Sequence, residues 1–374
     1  MIKILNRYVT KGNKKLRYGY TTGSCATGAA KAATYMLFNN RKINSIEIDT
    51  PKGWVLNLDI LDINIGNDKT SCGIEKDSGD DPDVTNKLKI YAKAEKITKG
   101  IIITGGIGIG KVTKKGLSVP VGRYAINPVP MKMIEEEVKK VLPENSGVKI
   151  TIYAPEGVNI ARKTFNPKLG IEGGISIIGT TGIVEPMSED ALKESLALEL
   201  SILREKNIDK IIFSPGNYGR DFALEMGLDR DLVVKTSNYI GYMIDKAVEY
   251  NMKKILFIGH IGKMAKVAGG IFNTHSKMAD GRMEILTANC GILGSSKELN
   301  KKIMNSITTD EAIGYIKEQG LEEVFNILAN KITKKCEERS YEEIDFGTII
   351  FSKEYGTLGK SHNFDGLMEE FKNE

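Results

Sequence analysis

From about Gly170 onward the chain repeats one pattern. An apolar run ends in a small polar loop, and an amphipathic stretch follows. The pattern appears as GGISIIGTTG before SEDALKESLALELSIL, DKIIFSPGNYG before RDFALEMG, LVVKTSN before YIGYMIDKAVEYN, and KKILFIGHIG before another helical stretch. The runs lack the alternation of a half-exposed strand, so they read as strands buried on both faces. Buried strands alternating with helices leave few architectures open. They predict a mostly parallel, doubly wound sheet over residues 171–374, a Rossmann-like α/β domain. DEAIGYIKEQGLEEVFNILANKITKKCEER extends it as a helical carboxy-terminal part, and FGTIIFSKEYG returns as a last strand.

Residues 1–170 have another rhythm. INSIEIDTPKGWVLNLDILDINI predicts two strands across a Pro-Lys-Gly turn, and NKLKIYAKAEKI and GVKITIYAPEG predict two more. Two helices intervene: the small-residue stretch after Ser24, and PVPMKMIEEEVKKVLP, bounded by prolines. This is an α+β domain, and 374 residues accommodate both domains, each with its own core.

In an open α/β sheet ligands sit beyond the carboxyl ends of the strands. Four expected strands end alike, in Gly179-Thr180-Thr181-Gly182, Ser214-Pro215-Gly216-Asn217, Thr236-Ser237-Asn238 and Gly259-His260-Ile261-Gly262. Each supplies small residues and precedes a helix whose first N–H groups lack internal partners. Together they predict a binding crevice. No Gly-x-Gly-x-x-Gly follows the first strand, and GGIGIGKVT has Val112 where a P-loop needs Ser or Thr, so ATPase chemistry is rejected.

Charge and cysteines narrow the classes further. The net charge of +5 comes from scattered Lys and Arg, without the dense stripe of a nucleic-acid binder, and suits a small polyanionic substrate. No apolar run reaches membrane-spanning length, and the amino terminus has no signal-peptide core. The four cysteines are dispersed, which argues against disulfides and a structural zinc and for a reducing cytoplasm. No protein-bound metal is expected.

EKDSGDDPDVTN crowds Asp77, Asp80, Asp81 and Asp83 around Pro82. Such crowding raises one carboxyl's pKa toward use as a proton acceptor, holds a hard cation, or forms a solvated turn. His260 lies at a strand end and His275 in GIFNTHSKMADGR. Lys263 lies near a helix start, whereas Arg123 and Lys168 lie in turns. The Thr21-Thr22-Gly23 turn precedes a helix made almost wholly of Ala and Gly. Its small face admits either a broad ligand, a neighbouring domain or the protein's own sheet.

LRYGYTTGSCATGAAKAA, KDSGDDPDVTN, GIGIGKVTKKGLSVPVGRYAINPVP, NPKLGIEGGISIIGTTGIVEPMS, SPGNYG and GHIGKMAKVAGGIFNTHSKMADGR together resemble the CbiD family, the cobalt-precorrin-5B C1-methyltransferases of anaerobic cobalamin biosynthesis. The match runs from residue 16 to about residue 282. The resemblance implies methyl transfer from S-adenosylmethionine to C1 of a cobalt-containing tetrapyrrole, with residues 1–170 as the substrate-side lobe. It implies cofactor contacts at Gly179, Thr180, Thr181, Gly182, Ser214, Gly216, Asn217 and Gly259. Substrate contacts are expected at Thr21, Thr22, Lys31, Arg123, Lys263 and His275. Asp80 or Asp81 is expected to accept the released proton, with His260 as the other candidate. Neither a nucleic-acid partner nor a membrane is implied. A tetrapyrrole reductase using NADPH and a non-catalytic corrinoid-binding protein are the rival readings.

Overall fold

The computed structural model describes residues 5–167 and 169–372; Lys168 lies outside them. The chain divides into two compact units, residues 1–189 and 190–374. That boundary falls later than the expected residue 170, because the segment after Gly170 belongs to the first unit. Ile171–Glu172 and Gly174–Ile175 pair with Lys111–Val112 and Gly108–Ile109, and Ile183–Val184 pairs antiparallel with Gly19–Tyr20.

The first unit is built on a five-stranded mixed sheet. Its strands are β1 (Leu61–Ile65), β2 (Lys69–Glu75), β3 (Lys89–Ile97), β4 (Gly100–Gly105) and β5 (Gly147–Tyr153), in the order β1-β2-β3-β5-β4. Only the β5–β4 pair is parallel. The segment read as two strands is three, a hairpin of Ser45–Asp49 with Val55–Asp59 followed by β1.

Helix α1 (Thr22–Asn39) lies on this sheet beside α2 (Pro128–Lys139). Ala26, Ala29, Ala30 and Ala33 are fully buried in one cluster with Cys72, Ile74, Ile90, Ala92, Ala94 and Ile150. A methyl group on Gly28 would lie 2.6 Å from Ile74 Cδ1 and 2.8 Å from Leu58 Cδ1. The small side chains therefore bring the helix close to the protein's own sheet. Of the three occupants left open by the sequence, the sheet has the place.

The second unit carries another five-stranded sheet, β6 (Lys210–Ser214), β7 (Val233–Lys235), β8 (Lys254–His260), β9 (Asp345–Ser352) and β10 (Gly356–Lys360), ordered β7-β6-β8-β9-β10. Four strands run parallel and β10 returns antiparallel at the edge. Helices α3 (Glu189–Glu205), α4 (Asn217–Glu225), α5 (Ile240–Glu249) and α6 (Ile261–Ala268) intervene, with α4 and α6 following β6 and β8. The carboxy-terminal helical stretch is α7 (Arg282–Ile292), α8 (Lys297–Asn305), α9 (Thr309–Glu318) and α10 (Glu323–Arg339), and α11 (Phe364–Lys372) closes the chain.

The buried central residues of β6 and β8 face two cores. On one side Ile211, Phe213, Ile255 and Phe257 pack with α3, α5, α6 and α10. On the other, Ile212, Leu256 and Ile258 pack with Ala223 of α4 and Phe364, Leu367 and Phe371 of α11. Among the described residues no helix is long and apolar enough to cross a membrane.

Candidate functional site at the strand ends

Strand β6 lies between β7 and β8, and the chain leaves it toward β7 over one face before returning to β8 over the other. The direction of winding reverses between β6 and β8, which is where open α/β sheets hold ligands. The loops at that point are Ser214–Asn217 and His260–Lys263. Lys263 joins them, its Nζ donating to Pro215 O at 2.8 Å. Burial holds the Lys263 ammonium below its ordinary pKa, and the nearby charges of Lys235 and Lys266 push the same way.

Gly216 is the N-cap of α4, in an extended conformation and with no side-chain cap on the helix. Space opens beside it, since no atom lies within 4 Å of where a Cβ would stand. Asn217 Oδ1 accepts from Lys235 Nζ at 3.0 Å. Beyond β7, Thr236 is fully buried and its Oγ1 has no hydrogen-bond partner. A buried hydroxyl without a partner is uncommon in a folded protein, though Thr27 and Thr70 of the first unit share that condition.

His260 caps α6, with Nδ1 accepting from Gly262 N–H at 3.1 Å. Burial lowers its pKa. A neutral imidazole using Nδ1 as acceptor carries its proton on Nε2. Its ring meets Phe351 edge to face at 5.7 Å, and serving as a base through Nδ1 would require breaking the cap.

The other strand-end residues are occupied by packing. Ser214 is buried and its hydroxyl donates to Gly216 O at 2.7 Å, which shapes the loop. A methyl group on Gly259 would lie 2.4 Å from Met264 Sδ, so this glycine makes room for a core methionine instead of a ligand. His275 is exposed, and its Nδ1 accepts from Lys277 N–H at 3.1 Å. Its loop is tied to the end of β7 by Thr274 N–H on Asn238 O, and from beneath by buried Lys266 donating to Ala279 O. Sequence reasoning missed Lys235 and the role of Thr236. Neither has a motif, because only the fold brings them beside Asn217 and Ser214.

The Gly179–Gly182 loop is not at this edge. It lies in the first unit, clasped to the other Thr-Thr-Gly turn. Thr21 N–H donates to Gly182 O at 3.1 Å and Gly23 N–H to Ile178 O at 3.0 Å. Ser24 Oγ donates to Gly182 O at 2.6 Å. Thr22 Oγ1 accepts from Ile178 N–H at 2.9 Å and donates to main-chain carbonyls of the same strap. Gly179 has φ +134°, and a Cβ there would stand 2.4 Å from Thr21 Oγ1. Thr181 Oγ1 bonds to Ile183, and Thr180 is exposed. The groups expected to receive a ligand at Thr21 and Thr22 are thus satisfied by the chain itself. Lys31 is likewise engaged, on Glu47 O and Glu137 Oε2 at 2.7 Å each. Arg123 is exposed, with its guanidinium unpaired among the described residues.

The acidic loop is an ordered structure. Arg17 grips Asp77 through two guanidinium bonds of 2.6 and 2.7 Å, and Asp80 Oδ2 accepts from Arg17 N–H at 2.6 Å. Buried Lys76 pairs with Asp83 at 2.6 Å. Burial opposes ionisation of Asp77 and Asp83, yet the Arg17 and Lys76 contacts hold both below the usual carboxyl range. Asp81 differs. Burial pushes its carboxyl up, and its one partner among the described residues is Met187 N–H at 2.9 Å. Of the four, Asp81 is the one whose carboxyl burial pushes up on balance. No cluster of three or more His, Cys, Asp or Glu side chains with metal-site geometry occurs among the described residues.

The chain thus has the mixed α+β architecture, with one five-stranded sheet in each of its two compact units. Comparison with known proteins makes this specific. The CbiD family profile matches residues 9–186 and the CbiD C-terminal domain profile matches residues 273–362. The chain belongs to the CbiD family. It is 54% identical to the cobalt-precorrin-5B C(1)-methyltransferase of Alkaliphilus metalliredigens, covering 99% of both chains. It is 53% identical to the enzyme of that name from a Thermoanaerobacter species, over 95% of this chain and 98% of the relative. A crystal structure of the cobalamin biosynthesis protein cbiD from Archaeoglobus fulgidus is 27% identical, covering 73% of this chain and 86% of that one, with a TM-score of 0.38.

Proposed function

We propose that this protein is a cobalt-precorrin-5B C1-methyltransferase, that S-adenosylmethionine is its methyl donor, and that the donor binds a Rossmann-like second unit at the β6/β8 strand ends. Near-full-length identity to enzymes of that name supports the reaction. The donor's seat is supported by three features at these strand ends: the room at Gly216, the unpartnered Thr236 hydroxyl and the half-buried Lys263 ammonium held on Pro215 O.

These groups fit a zwitterionic nucleoside. Lys263 and the uncapped N–H groups at the start of α4 suit a carboxylate. Thr236 Oγ1 and His260 Nε2–H suit hydroxyl and ring-nitrogen partners. When bound, S-adenosylmethionine supplies an electrophilic methyl whose leaving group is a neutral thioether. The chain therefore needs no nucleophile and no oxyanion hole. Its task is to hold the reacting carbon in line with the methyl and keep water out, an effect worth about 7–11 kcal/mol of a barrier. As a new carbon–carbon bond forms at C1, the ring's conjugation changes and releases a proton, which Asp81 accepts.

Calorimetry with S-adenosylhomocysteine tests the seat. Lys263→Met should weaken binding at least tenfold and leave thermal unfolding within a few degrees of the parent. Unchanged affinity removes the crevice from the reading. Asp81→Asn should keep donor affinity but slow methyl transfer, followed by mass spectrometry, by about 10²-fold or more, in line with general acid–base contributions. Saturable NADPH binding in the same calorimeter would point to the reductase instead.

A further inference from the structure

One face of the first unit has chemistry that the donor site does not use. Trp54, the only tryptophan of the chain, meets Tyr18 edge to face at 5.2 Å between ring centroids. The Arg7 guanidinium lies 4.1 Å over the Trp54 ring and has no carboxylate partner among the described residues. Lys52 Nζ stands 5.7 Å from Trp54 and 5.9 Å from Tyr18. Its nearest carboxylate, Glu185, is 4.0 Å away and already paired with Lys11 at 2.9 Å. One acid thus serves two lysines, and an arginine rests on an indole with no counter-ion.

The face continues to the acidic loop. Lys52 N–H donates to Thr181 O, and Glu185 leads to Met187, whose N–H holds Asp81. Met187 is 63% exposed and has φ +53°, a left-handed conformation that a residue with a side chain seldom adopts. Tyr18 follows Arg17, whose N–H holds Asp80. Aromatic rings, an exposed thioether, surplus cations and a half-buried carboxyl thus share one patch of surface.

We propose that this face, built from Arg7, Tyr18, Lys52 and Trp54 with Lys11 and Met187 at its rim, is the docking surface for the flat, carboxylate-fringed tetrapyrrole. The proposal rests on the substrate class of the preceding section and gives that substrate a seat. The ring's apolar faces match aromatic surfaces, and its carboxylates provide an anion for Arg7 and a second one for Lys52, which shares Glu185 with Lys11. The seat also brings the ring to Asp81, on the same patch.

The test is an absorbance titration of the full-length protein with cobyrinic acid, a stable cobalt corrinoid with free ring carboxylates. Its amide analogue and S-adenosylhomocysteine are run in parallel. Arg7→Glu and Lys52→Glu should each weaken cobyrinic acid binding at least tenfold and leave S-adenosylhomocysteine affinity unchanged. Trp54→Phe should retain most of the affinity and Trp54→Leu should lose it; if the leucine variant melts early, the two charge variants decide. The amide analogue should bind the parent more weakly than the acid. Parent-like corrinoid affinity in Arg7→Glu and Lys52→Glu overturns the seat, as does a parent protein that binds no corrinoid. Loss of S-adenosylhomocysteine binding alone would instead count against the proposed donor chemistry and leave this seat standing.

Discussion

Lys76 is the least exposed charge in the acidic loop, 2% accessible and bonded to Asp83 and Ser78. Removing one partner of such a pair leaves the other charge without compensation in a poorly solvated place. Lys76→Met should destabilise the protein by about 3 kcal/mol, measured by denaturant unfolding at pH 7. The two carboxyls beside it respond to pH with opposite signs. Asp83 has a depressed folded pKa, so its stabilisation is present above the unfolded carboxyl value near 4 and is lost as pH falls through the folded value. Asp81 has a raised folded pKa, so stability declines as pH rises from the unfolded value through the folded one. Asp81→Asn should therefore raise the melting temperature at neutral pH and lose that advantage at pH 3, while Asp83→Asn lowers it at neutral pH. A neutral-pH melting temperature lowered by Asp81→Asn would contradict the burial that singles this residue out. The crowding of aspartates was legible in the sequence. Which one titrates high was not, because that depends on Arg17 and Lys76 reaching their partners.

At the scale of elements, periodicity and punctuation located α1, α2, β3, β5, β6 and β8, but not β2, β4, β10 or the helices α7, α8 and α11. Pro128 and Pro130 opened α2 as expected, and the Pro-Lys-Gly turn made its hairpin. The misassigned run was GGISIIGTTG. Ile175 and Ile177 of its apolar run are buried but Ile178 is 49% exposed, and Gly173 at positive φ separates the two-residue strands Ile171–Glu172 and Gly174–Ile175. Apolar content reports burial and says nothing of the partner, so a strap over the first unit reads like a strand of the second. Helix α1 gives the complementary lesson: its small residues were visible, and their neighbour was not. Ala29→Leu would force a larger side chain into a fully buried contact with the sheet. It should cost about 1–3 kcal/mol in unfolding experiments, with S-adenosylhomocysteine affinity of the folded protein unchanged.

The whole molecule consists of two units with separate cores, one around α1 and its sheet and one on each face of the β6–β10 sheet. Each core is complete within its own stretch of chain, so segments 1–189 and 190–374 expressed apart should both give cooperative melting transitions. The second alone should retain S-adenosylhomocysteine binding. A carboxy-terminal segment that melts without cooperativity would show that the boundary is misplaced. The change of rhythm suggested a junction near residue 170, whereas the units divide after residue 189, because the segment between pairs with the first unit, Ile183–Val184 with Gly19–Tyr20. That pairing has a bearing on how the protein is made. The Thr22 hydroxyl meets a carbonyl 156 residues further along. On the ribosome, therefore, the start of α1 waits with unpaired amides until nearly the whole first unit has emerged. Termination of synthesis just short of Gly174 would leave a nascent product with its oldest helix unsealed, a natural handle for chaperones and proteases.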